Sequence, residues 1–210
     1  MENTALFPVF YLPPISWFVH FCNHDGTVIL DQHENFNKQT YRNRTCIFGA
    51  NGKLSLMIPI DHKSQKQMNQ ILVSDAEKWR IQHWKSIKTA YQGSPYFEFY
   101  EDQFRKIFES EEKSLFRFNL FALEILLKIL KSEIKIELSS EYQPSFQGLD
   151  FRDQFSPKKE EPEIYKEYYQ TFSDKLGFIQ NLSILDLICN LGPESLNYLR
   201  QQYKSLQNHH

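Results

Sequence analysis

Between Asp31 and Arg44 the chain reads DQHENFNKQTYRNR, a run in which carboxylates, an imidazole, amides and guanidinium groups crowd around Phe36 and Tyr41. Ordinary loops are built from Gly, Pro, Ser and Asp, so this mixture reads as a recognition site for a polar, anionic small molecule. Arg42 and Arg44 suit a carboxylate or phosphate held bidentately, and Lys38 adds charge. Gln32, Gln39 and Asn43 suit hydroxyl groups, with Tyr41 and the upstream Tyr11 as further substrate contacts. Asp31, His33 and the more distant His83 are the candidate acids or bases, and Arg80 is a further candidate cation. No nucleophile and base stand at a diagnostic spacing, so the stretch locates a site without naming a reaction. Two other readings stay open. A desolvated guanidinium is costly unless paired, so the arginines can be internal partners of Asp31 and Glu34, or they can be solvated charges at a strand edge.

Three elements must position these groups. Thr27 to Leu30 is an apolar, β-branched run, a strand that delivers the polar loop from its end. Asn51-Gly52, between CIFGA and KLSLMIPI, predicts a type I′ hairpin pairing Ala50 with Lys53, Ile47 with Leu56 and Thr45 with Ile58. If its first strand runs back through Tyr41, Arg42 and Arg44 lie side by side on one face. Ser74 and Glu77 have the spacing of a capping box, opening a helix whose apolar arc of Trp79, Trp84, Ile87, Ala90 and Tyr91 takes in Arg80 and His83. Together these steps predict one cleft lined by Asp31, Gln32, Lys38, Gln39, Arg42, Asn43 and Arg44, with Arg80 or His83 closing its other side. A core imidazole held by a backbone carbonyl is the competing reading of His83.

The fold class expected from the patterning is α+β, a small antiparallel sheet including the hairpin at Asn51-Gly52, packed against a helical bundle. Helices are expected near 76–92, 95–109 and 113–131, the second with Ser94 as its N-cap, and short strands at Phe7–Tyr11 and Glu133–Leu138. Residues 139–163 are irregular and read as a surface connection or a partner-ordered lid; Ser183 and Asp186 can cap a later helix, and Pro193 opens a last one. A chain of 210 residues is expected to form one domain over 1–210.

Composition narrows the function classes. A net charge of -2 with 24% charged residues excludes the basic footprint of a nucleic-acid binder, while 41% hydrophobic and 15% aromatic residues supply a large core. Cys22, Cys46 and Cys189 are odd in number and far apart, which writes neither a disulfide framework nor a CxxC site and points to buried, reduced thiols. The opening MENTALFPVFYLPPISWF lacks a basic n-region, and the apolar stretch Leu115 to Leu130 is broken by Arg117, Asn119, Glu124 and Lys128. A cytoplasmic protein without membrane insertion is the expectation. His20, His24 and His33 match no metal-site spacing, so no metal is assigned, and with no GxGxxG, Walker A, HExxH, GxSxG or EF-hand pattern the cofactor stays open, as does the oligomeric state.

Four motifs carry a resemblance: YLPPISWF, then QHENFNKQTYRNR followed by the ANG hairpin and its IP ending, then WRIQHWKSIKTAYQGSPYFEFY, then FIQNLSILDLICNLGPE. In these the chain resembles the WbqC-like protein family over nearly its whole length. It departs from the family where a Gln-Pro pair usually precedes YLP, a place held here by apolar residues around Pro8 and Val9. The resemblance implies a bacterial surface-polysaccharide (O-antigen) biosynthesis context. There the anion site fits a transferase moving an acyl, aminoacyl or glycosyl group onto a sugar carried by a phosphorylated donor or carrier; the alternative is a noncatalytic binding or scaffold protein of the same pathway.

Overall fold

The computed structural model describes residues 3–61, 66–158 and 165–208. The middle of the DHKSQKQMNQ loop and the far end of the irregular connection lie outside the described residues.

β1 (Thr4–Pro8) and β2 (Thr27–Asp31) form the centre of a four-stranded sheet completed by β5 (Ile136–Leu138) beside β2 and β6 (Leu149–Asp150) beside β1. Every pairing in this sheet is parallel, from Thr4 opposite Thr27 to Pro8 opposite Asp31. Parallel strands need a crossover, and α1 (Ile15–Phe21) supplies it between β1 and β2. Both faces of the central strands are covered, which is why TALFP and TVIL read as runs of apolar residues with little alternation. Phe7 meets Trp17 and Phe21 edge-on at 5.5 and 5.3 Å and stacks on Phe151 at 4.3 Å, fixing α1 and the segment after β6 against the same strand. Each fully buried aromatic of this kind contributes about 1.5–3 kcal/mol of transfer free energy. Gly26 is required where β2 begins, since a Cβ there would stand 1.5 Å from the Asn3 carbonyl oxygen that Thr27 N–H bonds at 3.1 Å.

β3 (Arg44–Gly49) and β4 (Gly52–Met57) form the antiparallel hairpin of an α+β fold. Its register is displaced from the type I′ expectation: Gly49 pairs with Gly52, Ile47 with Leu54 and Thr45 with Leu56. Ala50 and Asn51 keep negative φ and Gly52 alone takes a positive value, +105°, which is the type I turn with a glycine bulge. The displacement is two residues, an even number, so every side chain keeps its face.

α2 (Trp79–Tyr91), α3 (Phe97–Glu109) and α4 (Leu115–Leu130) follow, with α5 (Ser173–Leu176), α6 (Ile184–Leu191) and α7 (Ser195–Gln207) after the irregular connection. The Ser74/Glu77 box does not cap α2, which starts at Trp79 without a side-chain cap; Ser74 Oγ instead accepts from Ala76 N–H at 3.3 Å in a local turn. Ser94 likewise turns back to the Tyr91 carbonyl at 2.6 Å, leaving Tyr96 to precede α3. Ser114 and Ser183 do cap α4 and α6. α4 is apolar around most of its circumference and packs Leu115, Phe118, Leu123 and Leu126 into the core that also holds Tyr11, Trp17 and Trp79. No helix among the described residues is long and apolar enough to cross a membrane.

Candidate functional site

Because the four strands run parallel, their carboxyl ends meet along one edge, and ligands of open parallel sheets gather at that edge. Here it carries Asp31, the last residue of β2, Ser139, the first after β5, and Arg152, just beyond β6. Asp31 is 1% exposed yet fully bonded. Its Oδ1 accepts from the backbone N–H of His33 and Glu34 at 2.9 and 3.1 Å and from Ser139 Oγ at 3.0 Å, while Oδ2 accepts from Arg152 Nη1 at 3.1 Å. The first two bonds form an Asx turn, which is how the polar run bends away from β2.

The turn places Glu34 against Arg42. Arg42 Nε donates to Glu34 Oε1 at 2.8 Å and Nη2 donates to Oε2, a bidentate pair whose side chains are 3% and 5% exposed. Arg42 Nη2 also reaches the Arg152 carbonyl at 3.2 Å, so both arginines belong to one network. Arg152 in turn donates Nε and Nη2 to Asp150 at 3.0 and 2.5 Å and Nη1 to the Gln143 carbonyl at 2.7 Å. These bonds hold the Arg152 guanidinium firmly protonated. Burial opposes ionisation of Asp150, but the hydrogen bonds from Arg152 outweigh it and keep that carboxyl below its ordinary range. Burial has the upper hand at Glu34: despite Arg42, its carboxyl is pushed up to about 7.

Glu34, Arg42 and Arg152 open onto a cleft of about 230 Å³, walled also by Asn35, Asn37, Tyr142, Pro144 and Asp153. Arg42 Nη1 is the corner of the two guanidinium groups that makes no hydrogen bond among the described residues. The arrangement can hold a small anion against Arg42 and exchange a proton with Glu34 near neutral pH.

The other residues singled out in the sequence are dispersed. Gln32 is tied to Ser139 through its backbone N–H at 3.1 Å and its Nε2 at 2.7 Å, and His33 Nδ1 lies 3.3 Å from Asn69 Nδ2. Lys38 and Gln39 are exposed at the tip of the loop, where Gln39 adopts φ +61°. Tyr41 is buried against Phe10 at 5.7 Å, its carbonyl accepting from Tyr11 N–H at 2.8 Å. Asn43 bridges to Ile58, donating Nδ2 to its carbonyl at 2.9 Å. Arg42 precedes β3, in the turn at 41–43, whereas Arg44 opens that strand opposite Met57 and does not line the cleft. The two guanidinium groups are therefore not neighbours on one strand face.

Tyr11, Arg80 and His83 form a second cluster. The Tyr11 hydroxyl lies 2.9 Å from His83 Nδ1, the two rings stack at 5.7 Å, and Trp79 packs edge-on against both. Burial pushes His83 down to about 4, against a backbone hydrogen bond to Met57 that works the other way. The imidazole is thus neutral, giving its ring N–H to the Met57 carbonyl and accepting from Tyr11 at Nδ1. Arg80 lies over the Trp79 ring at 4.5 Å, with Nη1 on Asp75 at 3.0 Å and Nη2 on the Glu112 carbonyl at 2.6 Å. It borders a wider cleft of about 560 Å³ whose cations Lys78, Arg80 and Lys113 stand among Asp75, Glu77, Glu109 and Glu111. Lys113 and Arg80 both pair with Asp75, so these charges largely satisfy one another at the surface. His20, His24 and His33 stand apart: His20 rests on Phe151, Phe155 and Tyr203, and His24 bonds the Asn3 carbonyl.

Sequence reading gave Glu34 only as an ion-pair partner and missed Arg152, Ser139 and Tyr142. The available signal was DFRD at 150–153, an arginine between two carboxylates in an otherwise irregular stretch.

A model described as the WbqC-like protein family matches residues 9–153, a span that takes in the loop, Glu34, Arg42 and Arg152. Among curated proteins, an uncharacterized protein of Mycobacterium tuberculosis (strain ATCC 25618 / H37Rv), Rv1507c, is 23% identical over 232 residues, covering 95% of this chain and 98% of that protein. No solved structure matches.

Proposed function

Since the chain belongs to the WbqC-like protein family, we propose that it is an enzyme of surface-polysaccharide (O-antigen) sugar biosynthesis, transferring an acyl, aminoacyl or similar group between small anionic or phosphorylated substrates. The observation that carries this reading is Glu34, a buried carboxyl titrating at about 7 in the wall of a cleft that also holds a guanidinium. A carboxyl whose pKa lies near the working pH is available in both protonation states, so it can give a proton and take one back.

In the proposed step the anionic part of the substrate rests on Arg42. Glu34, protonated when the anion is bound, gives its proton to the departing group as the acceptor oxygen bonds to the acyl carbon, and the carboxylate so formed takes the proton of that acceptor oxygen. Asp31 does not meet substrate: it holds Arg152, which in turn sets the position of the Arg42 guanidinium.

A noncatalytic binding protein of the same pathway is the second reading, favoured by the carboxylate partners that Arg42 and Arg152 already have. Incubation with sugar phosphates and labelled acyl-thioester donors separates the two. Glu34→Gln is expected to lower turnover by 10²–10⁴-fold while sugar-phosphate binding persists. Binding without turnover by the wild type across such a panel supports the recognition role instead.

A further inference from the structure

We propose that anion binding in the cleft at the carboxyl edge of the parallel sheet is coupled to proton uptake by Glu34, so that the ligand enters as an anion accompanied by one proton. The inference rests on the reading of this cleft as an anion site and adds how that site is regulated.

The geometry forces the coupling. Among the described residues, the charged groups facing Glu34 are Arg42, Asp31 and Arg152. Asp150 joins them through Arg152, and Asp153 lines the same cleft, where Tyr142 is the remaining titratable wall. Two guanidinium groups thus pair with the carboxyls of Asp31, Glu34 and Asp150. Asp31 and Asp150 are pinned by Arg152, Asp31 also by Ser139 and two backbone N–H groups. Glu34 differs, because Arg42 is its only side-chain partner among the described residues.

An anion in the cleft that takes the unpartnered Nη1 of Arg42 therefore competes with Glu34 for the same positive charge and adds a like charge next to a buried carboxylate. Both effects favour the protonated form of Glu34. Since that group already titrates at about 7, the change falls within the physiological range. Arg42 and Glu34 lie at the buried floor of the cleft, their side chains 3% and 5% exposed, so solvent at its mouth screens the repulsion only weakly.

Inorganic sulfate is the suitable probe, since it remains a dianion throughout the range. Calorimetric titration at pH 8 in buffers of differing ionisation enthalpy counts the protons taken up. We expect about one proton per sulfate in the wild type, a Kd rising about tenfold per pH unit above 8, and neither effect in Glu34→Gln. Sulfate binding by the wild type without proton uptake overturns the coupling while leaving the anion site standing, as does uptake that persists in Glu34→Gln. If sulfate binds neither protein, the anion-site reading itself falls and the coupling with it.

Discussion

Arg152 Nη1 donates to Asp31 Oδ2 at 3.1 Å, joining the end of β2 to a residue 121 positions later in the chain. Through this contact the connection between β5 and β6, irregular in sequence, is folded over the carboxyl edge of the sheet. The same guanidinium bonds Asp150 and the Gln143 carbonyl, so one side chain ties three separate backbone segments together.

Removing that tie should be expensive. Arg152→Ala leaves Asp31, 1% exposed, with a buried charge and no cation beside it. Loss of one partner of a buried pair costs about 3–5 kcal/mol, and urea denaturation at pH 7 is expected to show a drop of that order. Adding Asp31→Asn should recover part of it, because the orphaned charge is then gone; a strictly additive double variant would show that the contact carries no coupling energy.

Arg42→Ala should lose any anionic ligand and destabilise less than Arg152→Ala at pH 7. Glu34 is already raised to about 7 beside Arg42, so without the guanidinium it stays protonated, and the loss grows as pH rises above 7. Glu34→Gln keeps a neutral partner, since the amide oxygen can still accept from Nε. Measured by denaturation at pH 7 and about pH 8.5 alongside ligand titration, a loss that does not grow with pH would mean that water reaches Glu34 freely.

The acid limb of stability has three contributors, one opposed to the other two. His83 is held down to about 4, so the unfolded chain binds the extra proton as pH falls from about 6.5 through 4 and stability is lost there. Glu34, raised to about 7, and Asp186, raised to about 6 by burial, act in the opposite sense: they bind protons more readily when folded, and stability is lost as pH rises from about 4 to 7. Stability of Glu34→Gln should therefore climb more steeply with pH between 4.5 and 6.5 than that of the wild type. His83→Leu should show the reverse trend. Identical pH profiles for all three proteins in thermal melts would contradict these assignments.

The thiols should be slow to react. Burial pushes Cys22 up to about 12 and also raises Cys46 and Cys189. Alkylation by iodoacetamide at pH 8 is expected to proceed at the rate of unfolding for Cys46 and Cys189, both buried. Rapid modification of the native protein accompanied by loss of sulfate binding would bring a thiol into the site.

Local chemistry was legible in the chain itself. Apolar periodicity placed α2, α3 and α4 within a few residues of their observed bounds, turn residues located the hairpin, and the crowding of polar groups after Leu30 marked the loop that carries Glu34 and Arg42. These features depend on neighbours within a turn or a strand, where spacing along the chain equals spacing in the molecule.

What only the tertiary structure decided depends on strand order. Short strands, one of them only the dipeptide Leu149–Asp150, give no signal of which will lie side by side, and the parallel order β5-β2-β1-β6 is what brings Asp31, Ser139 and Arg152 to one edge. The same holds for counter-ions. Sequence proximity left Asp31 and Glu34 sharing Arg42 and Arg44, but Coulomb energy is set by distance through the fold: Asp31 took Arg152, Glu34 took Arg42, and Arg44 remained on the hairpin.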